Sequence, residues 1–173
     1  MWIADIDCLQ NFQSLLGSES PIDHTSQGVA MTTRNAHARW EGSIKEGKGR
    51  VDFGNGAFKG SYTFASRFED GKGTNPEELL AAAHASCFAM ALSLALGKAG
   101  FKPDYIDATA QVTVSPQDGG FKITKSHIAC IANVPGIDQV SFNQNAQAAK
   151  SGCPISRALA GTEITLEARL VAS

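Results

Sequence analysis

The stretch NPEELLAAAHASCFAMALSLALG, residues 75–97, sets the architecture of this chain. Asn75 is a helix N-cap residue, Pro76 suits the first helical position, and Glu78 stands three residues on, as in a capping box. Glu77 and Glu78 complement the positive end of the helix dipole. No formal charge appears from Leu79 to Leu96, and Gly97 and Gly100, near Lys98, mark the end. A membrane span needs about twenty predominantly apolar residues. This run is largely alanine, is interrupted by His84, Ser86, Cys87 and Ser93, and has no polybasic flank. A helix apolar all round in a soluble chain is central and buried. The reading is therefore a long core helix and no membrane partner.

On its N-terminal side, residues 38–45, 50–53 and 61–68 read as strands, the last by its alternation of polar and apolar side chains. Turns are expected over residues 46–49 and at Asn55-Gly56, with a flexible loop over 69–74. On its C-terminal side, residues 105–114 and 121–134 read as a hairpin around a turn at 115–120. Residues 140–150 and 154–160 follow as helices, and 163–171 as a final strand. This order predicts an α+β domain in which helices pack on mostly antiparallel sheets.

Residues 1–30 stand apart. They carry Asp5 and Asp7 early and a polar stretch after, unlike a secretory signal, so the expected compartment is the cytoplasm. We read them as a loose or non-native extension, with residues 31–173 as the domain and Met31 as the natural start. The spacing of Trp2, Ile3, Ile6, Leu9 and Phe12 also allows a short amphipathic helix there.

Composition removes several function classes. Hydrophobic residues make up 43% and charged residues 18%, which a disordered chain does not have. A formal charge of −2 leaves no basic excess to neutralise a phosphate backbone, so nucleic acid is not an expected partner. Four cysteines, none in a Cys-x-x-Cys pair, are too sparse for a disulfide scaffold.

Two of those cysteines stand in settings that bear on chemistry. Cys87 lies mid-helix, where a thiol gets little help from the helix dipole; unless a cation approaches, it is a small buried hydrophobe. Cys153 precedes Pro154 and so occupies a helix N-cap, where free N–H groups favour a thiolate; the plainer reading is a small residue at a tight junction. By residue chemistry alone Cys153 is the more acidic thiol. Cys8 and Cys130 read as incidental. His84 stands one turn before Cys87, a pair that zinc would accept with Cys153 or His127, but no compact ligand set supports a metal site.

Taken together, these segments resemble the OsmC/Ohr family. The first match runs over Ser66-Arg67-Phe68-Glu69, Gly73-Thr74-Asn75-Pro76-Glu77-Glu78-Leu79-Leu80 and Ala81-Ala82-Ala83-His84-Ala85-Ser86-Cys87-Phe88. The second is Ser151-Gly152-Cys153-Pro154-Ile155-Ser156-Arg157-Ala158-Leu159. Smaller matches include Trp40-Glu41-Gly42, Val134-Pro135-Gly136-Ile137-Asp138 and Glu163-Ile164-Thr165-Leu166, and the details favour the osmotically inducible branch. The resemblance implies an OsmC-like fold in an intertwined homodimer with active sites at the subunit interface. It also implies a thiol peroxidase acting on organic hydroperoxides, and more weakly on hydrogen peroxide, with no metal, flavin or haem.

Within that resemblance, Cys87 matches the peroxidatic cysteine, Cys153 the resolving cysteine, and Arg67 and Glu77 the pair that tunes the peroxidatic thiol. The acidity ranking of the two cysteines is then reversed, which is sensible if a guanidinium approaches Cys87. An external dithiol, of lipoyl type, reopens the Cys87–Cys153 disulfide. His84, Phe88, Leu80 and Met90 are candidates to line the substrate pocket, although each equally suits plain core. Glu77 and Cys87 are ten residues apart on one helix, about 15 Å if it is straight. Either the helix breaks or each site takes Glu77 from the partner chain; we expect the second. The competing reading is a redox sensor or regulatory binding protein using the same cysteine pair as a switch.

Overall fold

The computed structural model describes residues 31–171, so the readings made for residues 1–30, Cys8 included, lie outside the described residues. Strands β1 (Ala36–Glu41), β2 (Lys48–Phe53) and β3 (Phe58–Thr63) form an antiparallel sheet in sequence order. Asn55 and Gly56 take φ of 54° and 88° between β2 and β3, the positive-φ pair that a tight hairpin turn requires. Period two puts Ala38, Trp40, Val51 and Tyr62 on one face and His37, Arg39, Arg50 and Lys59 on the other. The Trp40 and Tyr62 rings sit 5.5 Å apart, and Gly49 must stay glycine because a Cβ there would run into the Tyr62 ring.

The strand expected over residues 61–68 ends at Thr63. The Thr63 hydroxyl accepts from the Ser66 N–H, and the Ser66 hydroxyl accepts from the Thr63 N–H. This capping box starts helix α1 (Phe64–Phe68), so side-chain-to-backbone bonds override an alternating pattern. Ser66 also donates to the Thr74 carbonyl at 2.8 Å, and Asn75 Nδ2 donates to the Ser66 carbonyl at 3.0 Å. Those bonds tie α1 to the start of α2 (Pro76–Lys98). Asn75 caps α2 as predicted, accepting from the Glu78 N–H at 2.8 Å. The Glu78 carboxylate takes the Thr74 hydroxyl instead of closing the capping box.

The second sheet has the order β4 (Tyr105–Gln117), β5 (Gly120–Asn133), β6 (Glu163–Leu170). β4 and β5 form the predicted hairpin, but it turns on Asp118 and Gly119, with φ of 52° and 78°, more tightly than residues 115–120 suggested. β6 runs parallel to β5 and is reached through α3 (Gln139–Gly152) and α4 (Pro154–Ala158), the crossover that a parallel pair needs. Phe88, Leu92 and Leu96 of α2 meet Ile128, Cys130 and Ala132 of β5 and Phe142 and Ala146 of α3 in one core. The architecture is α+β, as the element order predicts.

Helix α2 is central without being enclosed. Its buried residues, Glu77, His84, Phe88, Leu92 and Leu96, follow one stripe. On the far side Met90 is 76% and Leu94 61% exposed. The expectation of a helix buried all round therefore holds for one face of the single chain, and the other face is apolar and uncovered. It is 23 residues long and contains an 18-residue stretch with a mean hydropathy of 1.9, enough to cross a membrane by length and composition, yet its inner stripe is committed to the second sheet and α3.

Candidate active site

The unbroken helix α2 presents Cys87 half-buried midway along its length. Cys153 sits where α3 hands over to α4. It donates its N–H to the Ala149 carbonyl at 2.9 Å and is itself the N-cap of α4, with Pro154 at the first helical position. Its sulfur is fully buried. Both thiols are free, and they lie close enough to share a hydrogen bond. Two thiols so placed can exchange a proton, and can close into a disulfide once one of them is oxidised.

The surroundings push the two apart in acidity. Burial raises the Cys87 pKa above the usual thiol range, and the shared bond with Cys153 adds to this, while the Ile155 backbone N–H pulls it partly back. Burial also acts to raise Cys153. It is outweighed by the bond from Cys87, by the Ser156 N–H and hydroxyl, and by the Ile155 N–H, so the Cys153 pKa is lowered. The single chain thus reproduces the ranking read from residue chemistry. Among the described residues no cationic side chain influences Cys87.

Arg67 and Glu77 meet elsewhere. Arg67 Nη2 donates to Glu77 Oε1 at 2.8 Å, and Nε donates to Oε1 and Oε2 at 3.3 and 3.2 Å. The Glu77 side chain is 11% exposed and that of Arg67 34%. Helix α1 supplies the arginine and the first turn of α2 the glutamate, so the two linked caps fix the pair. A carboxylate that accepts from both nitrogens of one guanidinium edge fixes its plane. Among the described residues Arg67 Nη1 has no hydrogen-bond partner, which leaves that end free to receive another group.

The pocket expected from His84, Phe88 and Leu80 needs correction. His84 and Phe88 have no exposed surface, so they are core in this chain, and Leu80 is half-buried. His84 Nδ1 is 2.8 Å from Ser126 Oγ and Nε2 is 2.9 Å from Ser156 Oγ, so neither ring nitrogen is free to bind zinc. Among the described residues no group of three His, Cys, Asp or Glu side chains could hold a metal ion. The open space lies beside Arg67 instead. One hollow of about 250 Å³ is lined by Trp40, Tyr62, Phe64, Phe68 and Pro76; another of about 330 Å³ is lined by Glu77, Ala81, Gln111 and Val112. Arg67 borders both. The aromatic residues were visible in sequence only as strand alternation, with nothing to mark them as a pocket. A larger groove on the polar face of the first sheet, about 490 Å³, contains none of the candidate residues.

A family model described as OsmC-like protein matches residues 69–168. The chain is 51% identical over 138 residues to peroxiredoxin OsmC of Escherichia coli strain K12, an alignment that covers 79% of this chain and 96% of that one. It is 33% identical over 97 residues to the organic hydroperoxide resistance protein OhrB of Bacillus subtilis strain 168, covering 55% of this chain and 69% of the relative. The crystal structure of OhrB of Bacillus subtilis superposes with a TM-score of 0.60 at 26% identity, covering 78% of this chain and 98% of that one. An OsmC-like protein from Mycoplasma pneumoniae shares the fold, with a TM-score of 0.64 at 16% identity over 82% of this chain and 99% of its own.

Proposed function

Because this chain belongs to the OsmC-like protein family, we propose that it is a thiol peroxidase that reduces organic hydroperoxides through Cys87 and Cys153. The observation that carries the reading is the pairing of these two free thiols, one on the long helix and one at a helix N-cap, within hydrogen-bond reach of each other. The Cys87 thiolate attacks the distal peroxide oxygen, the O–O bond breaks, and the alcohol leaves with one proton. Cys87 is then a sulfenic acid. The Cys153 thiolate attacks its sulfur, the S–S bond forms and the S–O bond breaks, with the oxygen departing as water. An external dithiol of lipoyl type reopens the disulfide by exchange and is itself oxidised to a disulfide. No metal, flavin or haem enters this scheme, and the setting is the cytoplasm.

The working unit in this reading is a homodimer. The uncovered apolar side of α2, with Met90 and Leu94, is the kind of surface that a second copy buries. In that dimer the Arg67–Glu77 pair of one chain serves the Cys87 of the other. Among the described residues nothing cationic lowers the Cys87 pKa, and an approaching guanidinium would. The aromatic hollow next to Arg67 suits the organic half of the peroxide.

The test is consumption of cumene hydroperoxide with excess dihydrolipoamide. Multiple turnovers that vanish in Cys87→Ser support the peroxidase. One disulfide per chain without turnover would instead point to a redox switch.

A further inference from the structure

The peroxide chemistry leaves His84 unused. Its ring is fully buried, and so is Ser126 of β5 beside it, while Ser156 of α4 is 6% exposed. The two serine hydroxyls engage Nδ1 and Nε2 at 2.8 and 2.9 Å. Burial holds the imidazole pKa below its ordinary value, so the ring is neutral near pH 7 and carries one N–H. Ser156 is the third residue of α4, the helix that Cys153 caps. Its N–H and hydroxyl lie near enough to the Cys153 sulfur to favour its thiolate, although neither closes a regular cap hydrogen bond to it.

We propose that Ser156, oriented by His84, is a positioning residue for Cys153: its hydroxyl donates toward the Cys153 sulfur and holds it facing Cys87 for disulfide closure. The direction follows from counting protons. With the imidazole proton on Nε2, His84 donates to Ser156 Oγ, Ser126 donates to Nδ1, and the Ser156 hydroxyl proton is left for the sulfur. With the proton on Nδ1, Ser156 must give its only proton to Nε2, and the sulfur loses its donor. Ser126 therefore matters without touching Cys153, because its hydroxyl is the donor that Nδ1 needs in the first arrangement. An anionic sulfur selects the same arrangement, so ionisation of Cys153 and the tautomer of His84 are linked. In the closing step the Cys153 thiolate attacks the Cys87 sulfenic sulfur, hydroxide leaves and takes up the proton that Cys153 released, and Ser156 keeps its own.

The role of Cys153 in this inference rests on the peroxidase reading, but the hydrogen-bond chain stands without it. A histidine that is merely satisfied in the core predicts lost stability on mutation and nothing else. The charged groups that share a hollow of about 250 Å³ with Ser156 are Lys150 and Arg157, and they are unchanged in the variants.

The test begins with the thiolate absorbance of Cys153 against pH, measured in a Cys87→Ser background as the difference from the chain that lacks both cysteines. Ser156→Ala is expected to move this titration up by about one pH unit, and Ser156→Thr to restore it. Ser126→Ala, on another element, is expected to move it in the same direction by less, and it decides the matter if Ser156→Ala does not fold. With Cys87 present and one equivalent of cumene hydroperoxide, Ser156→Ala should oxidise Cys87 at the normal rate and close the disulfide about tenfold more slowly. Titrations that do not move in either alanine variant would overturn the proposal. If the parent chain never oxidises at Cys87 while the titrations shift as stated, the peroxidase reading fails and the hydrogen-bond chain survives.

Discussion

Glu77 and Cys87 stand on one unbroken helix, ten residues and therefore about 15 Å apart, with Glu77 bound to Arg67 at the far end from the thiol. The two halves of the expected site exist in each chain, but they do not meet within it. Cys87 and Cys153 form one half, and Arg67 and Glu77 the other.

In the proposed dimer the exposed side of α2 is the surface that joins the two chains. Replacing Met90 or Leu94 by Glu is expected to give monomers by light scattering, since each would put a charge into an apolar contact. Peroxidase activity should fall with the dimer. Monomers with full activity would refute the shared-site account.

Cys153→Ser should oxidise once and stop at the sulfenic acid, trapped by dimedone as one adduct per chain. Cys130 is not expected to substitute for it. Burial, helped by the Asp107 carboxylate, pushes the Cys130 thiol up to about 11, and it is 2% exposed on β5. A Cys87–Cys130 disulfide in the mass spectrum would contradict this.

His84 makes stability depend on pH. Its pKa is lowered by burial, so below 6.5 the unfolded chain binds a proton that the folded chain refuses. Its contribution to stability is fully present above pH 6.5 and is lost as the pH falls toward the folded-state value. Urea unfolding between pH 7.5 and 5 should show this decline, and His84→Gln should flatten it. An equal slope in both proteins would count against the buried neutral ring.

Phe88, fully buried between the second sheet and α3, is expected to cost about 3–5 kcal/mol when cut to Ala, measured by urea unfolding at fixed protein concentration. A loss under about 1 kcal/mol would mean that Phe88 faces open space after all.

Much of this was legible in the residues. Asn75, Pro76 and Glu78 announced α2, Asn55-Gly56 the turn between β2 and β3, and Pro154 the N-cap position of Cys153. What was not legible depended on contacts distant in sequence. Thr63 and Ser66 form a capping box with serine in the place usually held by Glu or Gln, so the chain kept its strand pattern on paper. The parallel pairing of β6 with β5 is set by a crossover, not by any pattern within either strand. His84 looked like a pocket residue because its partners, Ser126 and Ser156, lie 42 and 72 residues away. The uncovered face of α2 could not be told from core, since a partner chain and a core ask for the same side chains.

The central claim is that one chain's thiols work with the other chain's Arg67–Glu77 pair, and it is tested most directly by mixing two inactive variants. Arg67→Ala alone is expected to lower peroxidase activity about tenfold or more, because the Cys87 pKa then stays high. Cys87→Ser alone should abolish it. When the two are refolded together, each mixed dimer holds one site with an intact Cys87 from the first chain and an intact Arg67 from the second. The account predicts that the mixture regains activity, with each mixed dimer at about half that of the parent dimer, one of its two sites being intact. A mixture no more active than its two components would show that Arg67 and Cys87 act within one chain and would contradict it.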